Sequence, residues 1–200
     1  MMKLSELTLA NLKAMKPRPE VWAFAKTCGG DMQRFWDTCP NGDWLLWLLR
    51  KTGNLSELEA RKVALAYALK VLPVFEKNAP DDNRPRLCLK AVKAYLKNPT
   101  TQNQAAMLAA AAAAHSAYVT YAAAASAYYA ASYPSGSASA DYAVHFATAA
   151  IDVVIANHSF CSGFDPGART QFERWGAKMV RAIVQRTRAK SKRARARTKS

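Results

Sequence analysis

The sequence predicts an all-α protein: a compact multi-helix bundle that carries an alanine-rich helical hairpin and a disordered basic C-terminal tail. Three observations predict it. Apolar residues recur at helical spacing, no period-two segment of any strength appears, and prolines, glycines and capping residues divide the chain into helix-length pieces. No fixed repeat of solenoid length stands out. A chain of 200 residues is near the usual size of one domain and long enough to bury a good core. We assign residues 1–184 to a single helical domain and residues 185–200 to a flexible tail.

In the opening "LSELTLANLKAM", Leu4, Leu7, Leu12 and Met15 fall close to one helical face with Ser5 as a cap, and "KPRP" ends that helix. Pro19 suits the first turn of a second helix through Val21, Trp22 and Phe24, which Gly29 and Gly30 close. A short turn through Met32, Phe35 and Trp36 follows. At "CPNGDWLLWLLRKTGN", Pro40, Asn41 and Gly42 turn the chain, Asp43 caps the free amides, Arg50 and Lys51 suit the negative end, and Gly53 terminates. Trp44, Trp47 and Leu48 share one face of this helix while Leu45, Leu46 and Leu49 cover the rest, so it belongs in a core. Its six apolar residues rise only about 9 Å, against about 30 Å of bilayer hydrocarbon, so it is no membrane span.

"LSELEARKVALAYALKVLPVFEKNAP" opens with a capping box, Ser56 with Glu59, and sets Leu58, Leu65, Leu69 and Leu72 on one stripe until Pro73 kinks or ends it. In "DDNRPRLCLKAVKAYLKNP", Asp82 or Asn83 caps, Pro85 enters the first turn, Leu87, Ala91 and Tyr95 point inward, and Lys90, Lys93 and Lys97 form a solvated face. From Thr101 to Ser132 alanine dominates, with tyrosines at 118, 121, 128 and 129, and a long helix follows from alanine's propensity. A second alanine-rich helix from about Ser139 to Asn157 completes the hairpin. Asp165 then caps a last helix in which Phe172, Trp175, Met179 and Ile183 recur on one side. Beyond Val184 nothing larger than alanine is apolar, which ends the packed body.

The formal charge is +15, yet nine of the 29 Lys and Arg residues and none of the 14 acids lie from Arg181 onward. The first 180 residues therefore carry 20 basic against 14 acidic groups, and the body is only mildly basic. The N-terminus lacks the unbroken apolar run of a signal peptide, and Cys28, Cys39, Cys88 and Cys161 form no CxxC pair. A cytoplasmic protein with reduced, mostly buried thiols is expected.

Three segments carry a family resemblance: "WDTCPNGDWLLWLL", "VLPVFEKNAPDDNRPRLCLKAVKAYL", and the alanine-rich pair containing "AAAAHSAYVTYAAAASAYYAA" and "YAVHFATAAIDV". Over residues 36–156 the chain resembles the fifth class of immunity proteins of bacterial polymorphic toxin systems, with the "DDNRPR" turn as the most specific part. Similar segments occur in uncharacterised bacterial and phage proteins. The resemblance implies an all-helical, non-enzymatic protein that neutralises a toxin by binding it. The basic tail departs from what an inhibitor of a nuclease's basic cleft would carry.

Asp82, Arg84 and Arg86 form a candidate polar cluster at the turn, structural through capping and ion pairing or engaged in binding. Asp141, His145 and Asp152 share a helical face and His115 lies on the neighbouring helix, so these four are either metal ligands or mutually bonded buried groups. His158 and Cys161 supply only two ligand types at HxxC spacing, short of a tetrahedral site. No nucleophile, phosphate-loop or acid-pair signature is present, so no catalytic residue and no cofactor is expected. Arg186, Arg188, Lys190, Lys192, Arg193, Arg195, Arg197 and Lys199 are candidate contacts to the backbone of DNA or RNA, without base-edge geometry for sequence reading. The function expected first is thus a protein-binding, immunity-type body with an exposed Trp36 or the tyrosines as anchors. The alternative is non-specific nucleic-acid binding through the tail.

Overall fold

The structure, a computed structural model, describes residues 6–118 and 166–197. Among these residues all regular structure is helical: α1 (Leu9–Ala14), α2 (Pro19–Thr27), α3 (Met32–Thr38), α4 (Gly42–Lys51), α5 (Glu57–Asn78), α6 (Arg84–Lys97), α7 (Thr101–Tyr118) and α8 (Pro166–Arg197). The chain is all-α, and no described helix is long and apolar enough to cross a membrane. The second half of the first alanine-rich helix and all of the second lie outside the described residues.

Local chemistry sets the boundaries. Thr8, rather than Ser5, caps α1, its hydroxyl accepting from Asn11 N–H while the Asn11 side chain accepts from Thr8 N–H. Pro19 starts α2, and Gly29 and Gly30 leave it at φ of +67° and +82°, a region open to glycine. The turn expected at Met32 is a full helix, capped by Asp31. Asn41 caps α4 by accepting from Asp43 N–H at 2.9 Å, which leaves Asp43 to pair with Arg18 at 3.0 Å. Ser56 and Glu59 form the expected capping box. Pro73 does not end α5, which continues to Asn78. Pro73 and Leu69, whose carbonyl loses its partner to the proline, both lie on the exposed side, where the missing bond costs least.

Two groups of helices pack on adjacent faces of α5. On one side Val63, Tyr67, Val71 and Phe75 join Leu12, Val21, Phe35, Leu45, Leu48, Leu49, Phe172, Val180 and Val184 in a single core drawn from α1–α5 and α8. On the other, Ala64, Ala68 and Leu72 meet Leu89 of α6, and Cys88 and Val92 of α6 continue into Met107, Ala111 and Ala114 of α7. The leucine stripe is met in half: Leu72 is buried and Leu65 packs beside it, whereas Leu58 and Leu69 are exposed and Ala64 and Ala68 take the inward positions next to Leu72. Alanine on both sides of a packed interface lets helix backbones approach closely. In α6, Ala91 and Tyr95 pack half-buried against the core as expected, but Leu87 is 49% exposed and Pro85, Cys88, Leu89 and Val92 are buried, while Lys90, Lys93 and Lys97 do face outward.

The α4 helix is a core helix, though its roles are divided differently from expectation. Leu45, Leu46, Leu48 and Leu49 are fully buried, and Trp44 and Trp47 pack half-buried against the same core. Each such leucine contributes roughly 2 kcal/mol, which outweighs the ~1 kcal/mol cost of placing Gly42 in a helix. Gly42 is there because α8 crosses over it. A Cβ on Gly42 would collide with the Tyr67 hydroxyl and the Gly176 backbone, and one on Gly176 would collide with the Tyr67 ring. Tyr67 fills this crossing edge-on to Phe172 and Trp175, at ring separations of 5.7 and 5.3 Å. On α8 the buried positions are Phe172, Gly176, Ala177, Val180, Val184 and Thr187, with Trp175, Met179 and Ile183 flanking them.

Residues 185–197 are helical and extend α8 beyond Val184. Alanine, arginine, lysine and glutamine are strong helix formers, and the body holds the first part of this segment through Thr187 and Arg188.

The glycine crossing yields a test. Gly176→Ala should destabilise the fold by about 1–3 kcal/mol in urea unfolding, and Tyr67→Phe in that background should recover part of the loss by removing the nearest colliding atom. Gly42→Ala should cost as much with less recovery, since it meets backbone as well. Equal recovery in both backgrounds would show that the crossing is not set by the glycines.

Candidate functional site

The turn between α5 and α6 gathers charges that the sequence separates. Its backbone is set by Ala79 N–H donating to Phe75 at 2.8 Å and Asp82 N–H donating to Ala79 at 3.1 Å. The Asp82 carboxylate then accepts from Arg84 N–H at 3.0 Å, capping α6 from one residue before the formal cap position. It also receives the Arg84 side chain as a two-pronged fork, Nε at 2.8 Å and Nη2 at 2.6 Å. This bidentate geometry favours the ionised carboxylate, and the Arg84 hydrogen bonds hold the Asp82 pKa below its ordinary value.

Two residues after Arg84, Arg86 donates to Glu76 of α5, Nε at 2.7 Å. Pro85 is buried beneath. Asp82, Arg84 and Arg86 are thus brought to one place but paired separately, and Glu76 is a member that sequence spacing did not reveal. A separation of ten residues is no helical repeat, so only the folded hairpin brings Glu76 and Arg86 together. Ala79, Pro80, Asp81, Asp82, Asn83 and Arg84 line a shallow, solvent-open depression here.

The basic residues of α8 divide into two groups. Arg181 donates to the carbonyls of Trp36, at 2.7 Å, and Cys39. Arg188 donates to Glu59 at 3.2 Å and to the Asn54 carbonyl at 2.7 Å. Arg188, one of the candidate phosphate contacts, ties α8 to the end of α4 and the start of α5. Lys62 of α5 adds a bond to Thr187 at 3.1 Å. Arg186, Lys190 and Arg193 are exposed. Lys192, Arg195 and Arg197 continue the helix backbone, and Lys199 lies outside the described residues.

Trp36 is not the exposed anchor expected, being 6% accessible inside the main core. Of the candidate tyrosines, Tyr118 ends α7, and 121, 128 and 129 lie outside the described residues. The same holds for Asp141, His145, Asp152, His158 and Cys161, and of His115 only its place in the α7 backbone is described. Among the described residues no group of three or more His, Cys, Asp or Glu side chains is arranged to hold a metal. Cys28, Cys39 and Cys88 are free and buried. Burial pushes the Cys39 and Cys88 thiols up to about 12, so both stay protonated and unreactive at neutral pH.

The chemistry available at the turn is therefore charge recognition on a preorganised surface. Because the folded-state pKa of Asp82 is depressed, its pair contributes fully above the ordinary carboxylate value of about 4 and is lost as pH falls through the folded-state value. Asp82→Ala should lower stability at neutral pH by about 1 kcal/mol through loss of the cap. As pH falls below about 4 and through the depressed folded-state value, its unfolding curve should converge on that of the parent chain. A difference that persists unchanged into acid would remove the ion pair from the account.

Residues 52–161 match the family described as "Imm-5 like putative immunity protein". No curated protein and no solved structure matches the chain. The matched segment begins at the end of α4, takes in α5, α6, α7 and the charged turn, and stops before α8. It spans more than half of the sequence, and the chain belongs to this Imm-5 like immunity-protein family.

Proposed function

We propose that this chain is a non-enzymatic immunity protein of the cytoplasm that neutralises a toxin by binding it, and that the α5–α6 turn belongs to the contact surface. The observation that carries the proposal is the family match over residues 52–161, which contains the turn. The geometry of the turn supports it physically. Arg84 and Arg86 are held by Asp82 and Glu76 before any partner arrives, so less side-chain freedom is lost on docking. Arginine is also among the residues that concentrate binding energy at protein interfaces.

The test is protection. Producing the full chain together with a candidate toxin domain should restore growth, and the two purified proteins should co-elute as a complex. Arg86→Glu, at an exposed position, should weaken that complex at least about tenfold, or 1.4 kcal/mol, while leaving thermal unfolding within a few degrees of the parent. Absence of both protection and complex formation would end the proposal. Protection unaffected by Arg86→Glu and by Asp81→Lys would move the contact surface away from the turn.

A further inference from the structure

The exposed cations of α8 form a surface of their own, distinct from the residues that hold the helix down. Arg186, Lys190 and Arg193 lie at i, i+4 and i+7, on one face of a continuous helix, and all three are exposed. Lys62 of α5 joins them from the folded body, fixed by its bond to Thr187 between Arg186 and Lys190 in the register of α8. We propose that Lys62, Arg186, Lys190 and Arg193 form a composite binding face for the phosphodiester backbone of nucleic acid, built by the body and the last helix together.

Two observations favour a polyanion over a protein partner. After Val184 the helix carries no apolar side chain larger than alanine, so the face lacks the aromatic or aliphatic anchors on which protein interfaces depend. Backbone binding requires only cations within reach of phosphates. The local positive charge is also compensated only in part. Glu59, the carboxylate near Lys62, is engaged by Arg188, and no acid occurs from Arg181 to the end of the chain. Desolvation and the nearby Lys190 charge both lower the Lys62 pKa, so a bound anion would relieve a repulsion already present in the fold. Regular helical spacing makes these contacts positional, which a flexible array of the same charges would lack.

The test uses the full chain with a fluorescently labelled random-sequence duplex DNA and a single-stranded RNA, titrated by anisotropy across a salt series. Binding should weaken with salt with a log-log slope of about −3.6 on duplex DNA, near 0.9 for each of four phosphates neutralised. The triple variant Arg186→Gln, Lys190→Gln and Arg193→Gln should lose at least about tenfold in affinity and flatten the slope by about 2 or more. A matched variant, Lys90→Gln, Lys93→Gln and Lys97→Gln, removes the same charge from the outer face of α6 and should bind within about twofold of the parent.

All six positions are solvent-facing, and circular dichroism would establish that both variants stay folded. Equal losses in the two variants would reduce the effect to net charge and overturn the proposal. So would the absence of binding at low salt, or binding to phosphatidylserine vesicles without binding to either nucleic acid. The toxin-protection experiment reads a different surface, so either result stands without the other.

Discussion

The approach of α8 to α4, permitted by two glycines and filled by one tyrosine, is the contact on which the rest of the arrangement depends. With Gly42 and Gly176 facing each other, the two backbones come close enough for Tyr67 to reach from α5 into the crossing. Burial of its hydroxyl raises the Tyr67 pKa, so the phenol remains neutral in a place where a phenolate could not be solvated. That crossing sets the height of α8 over the body. Arg181 can then reach the carbonyls at the end of α3, and Arg188 reaches Glu59 and Asn54 two turns further on. The sequence of cause runs from missing side chains to helix distance to charge pairing. Charged hydrogen bonds add to a position that packing has already defined.

Within this frame α5 serves two neighbours. Its Val63, Tyr67, Val71 and Phe75 side is buried against α1–α4 and α8, which lie almost wholly outside the family-matched segment, and its Ala64, Ala68 and Leu72 side faces α6 inside that segment. The additional helices therefore occupy a large apolar surface of the family core and leave the α5–α6 turn at its end open to solvent. An interaction role for the turn fits that distribution. Its charges are fixed by partners two and ten residues away, and no elements from beyond the matched segment are needed to form it.

Punctuation was legible in the sequence because capping is local. Pro19, the Ser56 and Glu59 box and Gly53 act within a few residues of themselves, and they stand where spacing predicted. The inward faces of α5 and α6 were legible only in part. A hydropathy stripe found Leu65, Leu72, Ala91 and Tyr95 but also selected the exposed Leu58, Leu69 and Leu87, because a single stripe does not describe a helix packed on two faces. The roles of the cations were hidden for a different reason. Arg188 and Glu59 are 129 residues apart, and nothing local separates a guanidinium that braces the fold from one that faces solvent. The Asp82 and Arg84 pair, two residues apart, was visible at once as a cluster, while its fork geometry and the Glu76 member required the hairpin.

The placement of the two charged surfaces along α5 bears on whether they can work independently. Lys62 stands near the start of the helix and Glu76 near its end, 14 residues on, which at 1.5 Å per residue is about 21 Å. The Debye length at physiological ionic strength is about 8 Å, so charges exposed at the two ends are largely screened from each other. Their composition differs as well. The turn mixes Asp81, Asp82 and Glu76 with Arg84 and Arg86, whereas the α8 face is uniformly cationic. A phosphate backbone attracted to α8 would gain little at the turn and would meet carboxylates there. A protein partner reading alternating charge at the turn would in turn feel little of the α8 field. One 22-residue helix thus holds apart two surfaces of different chemistry, and the packing of two of its faces fixes their separation along its length.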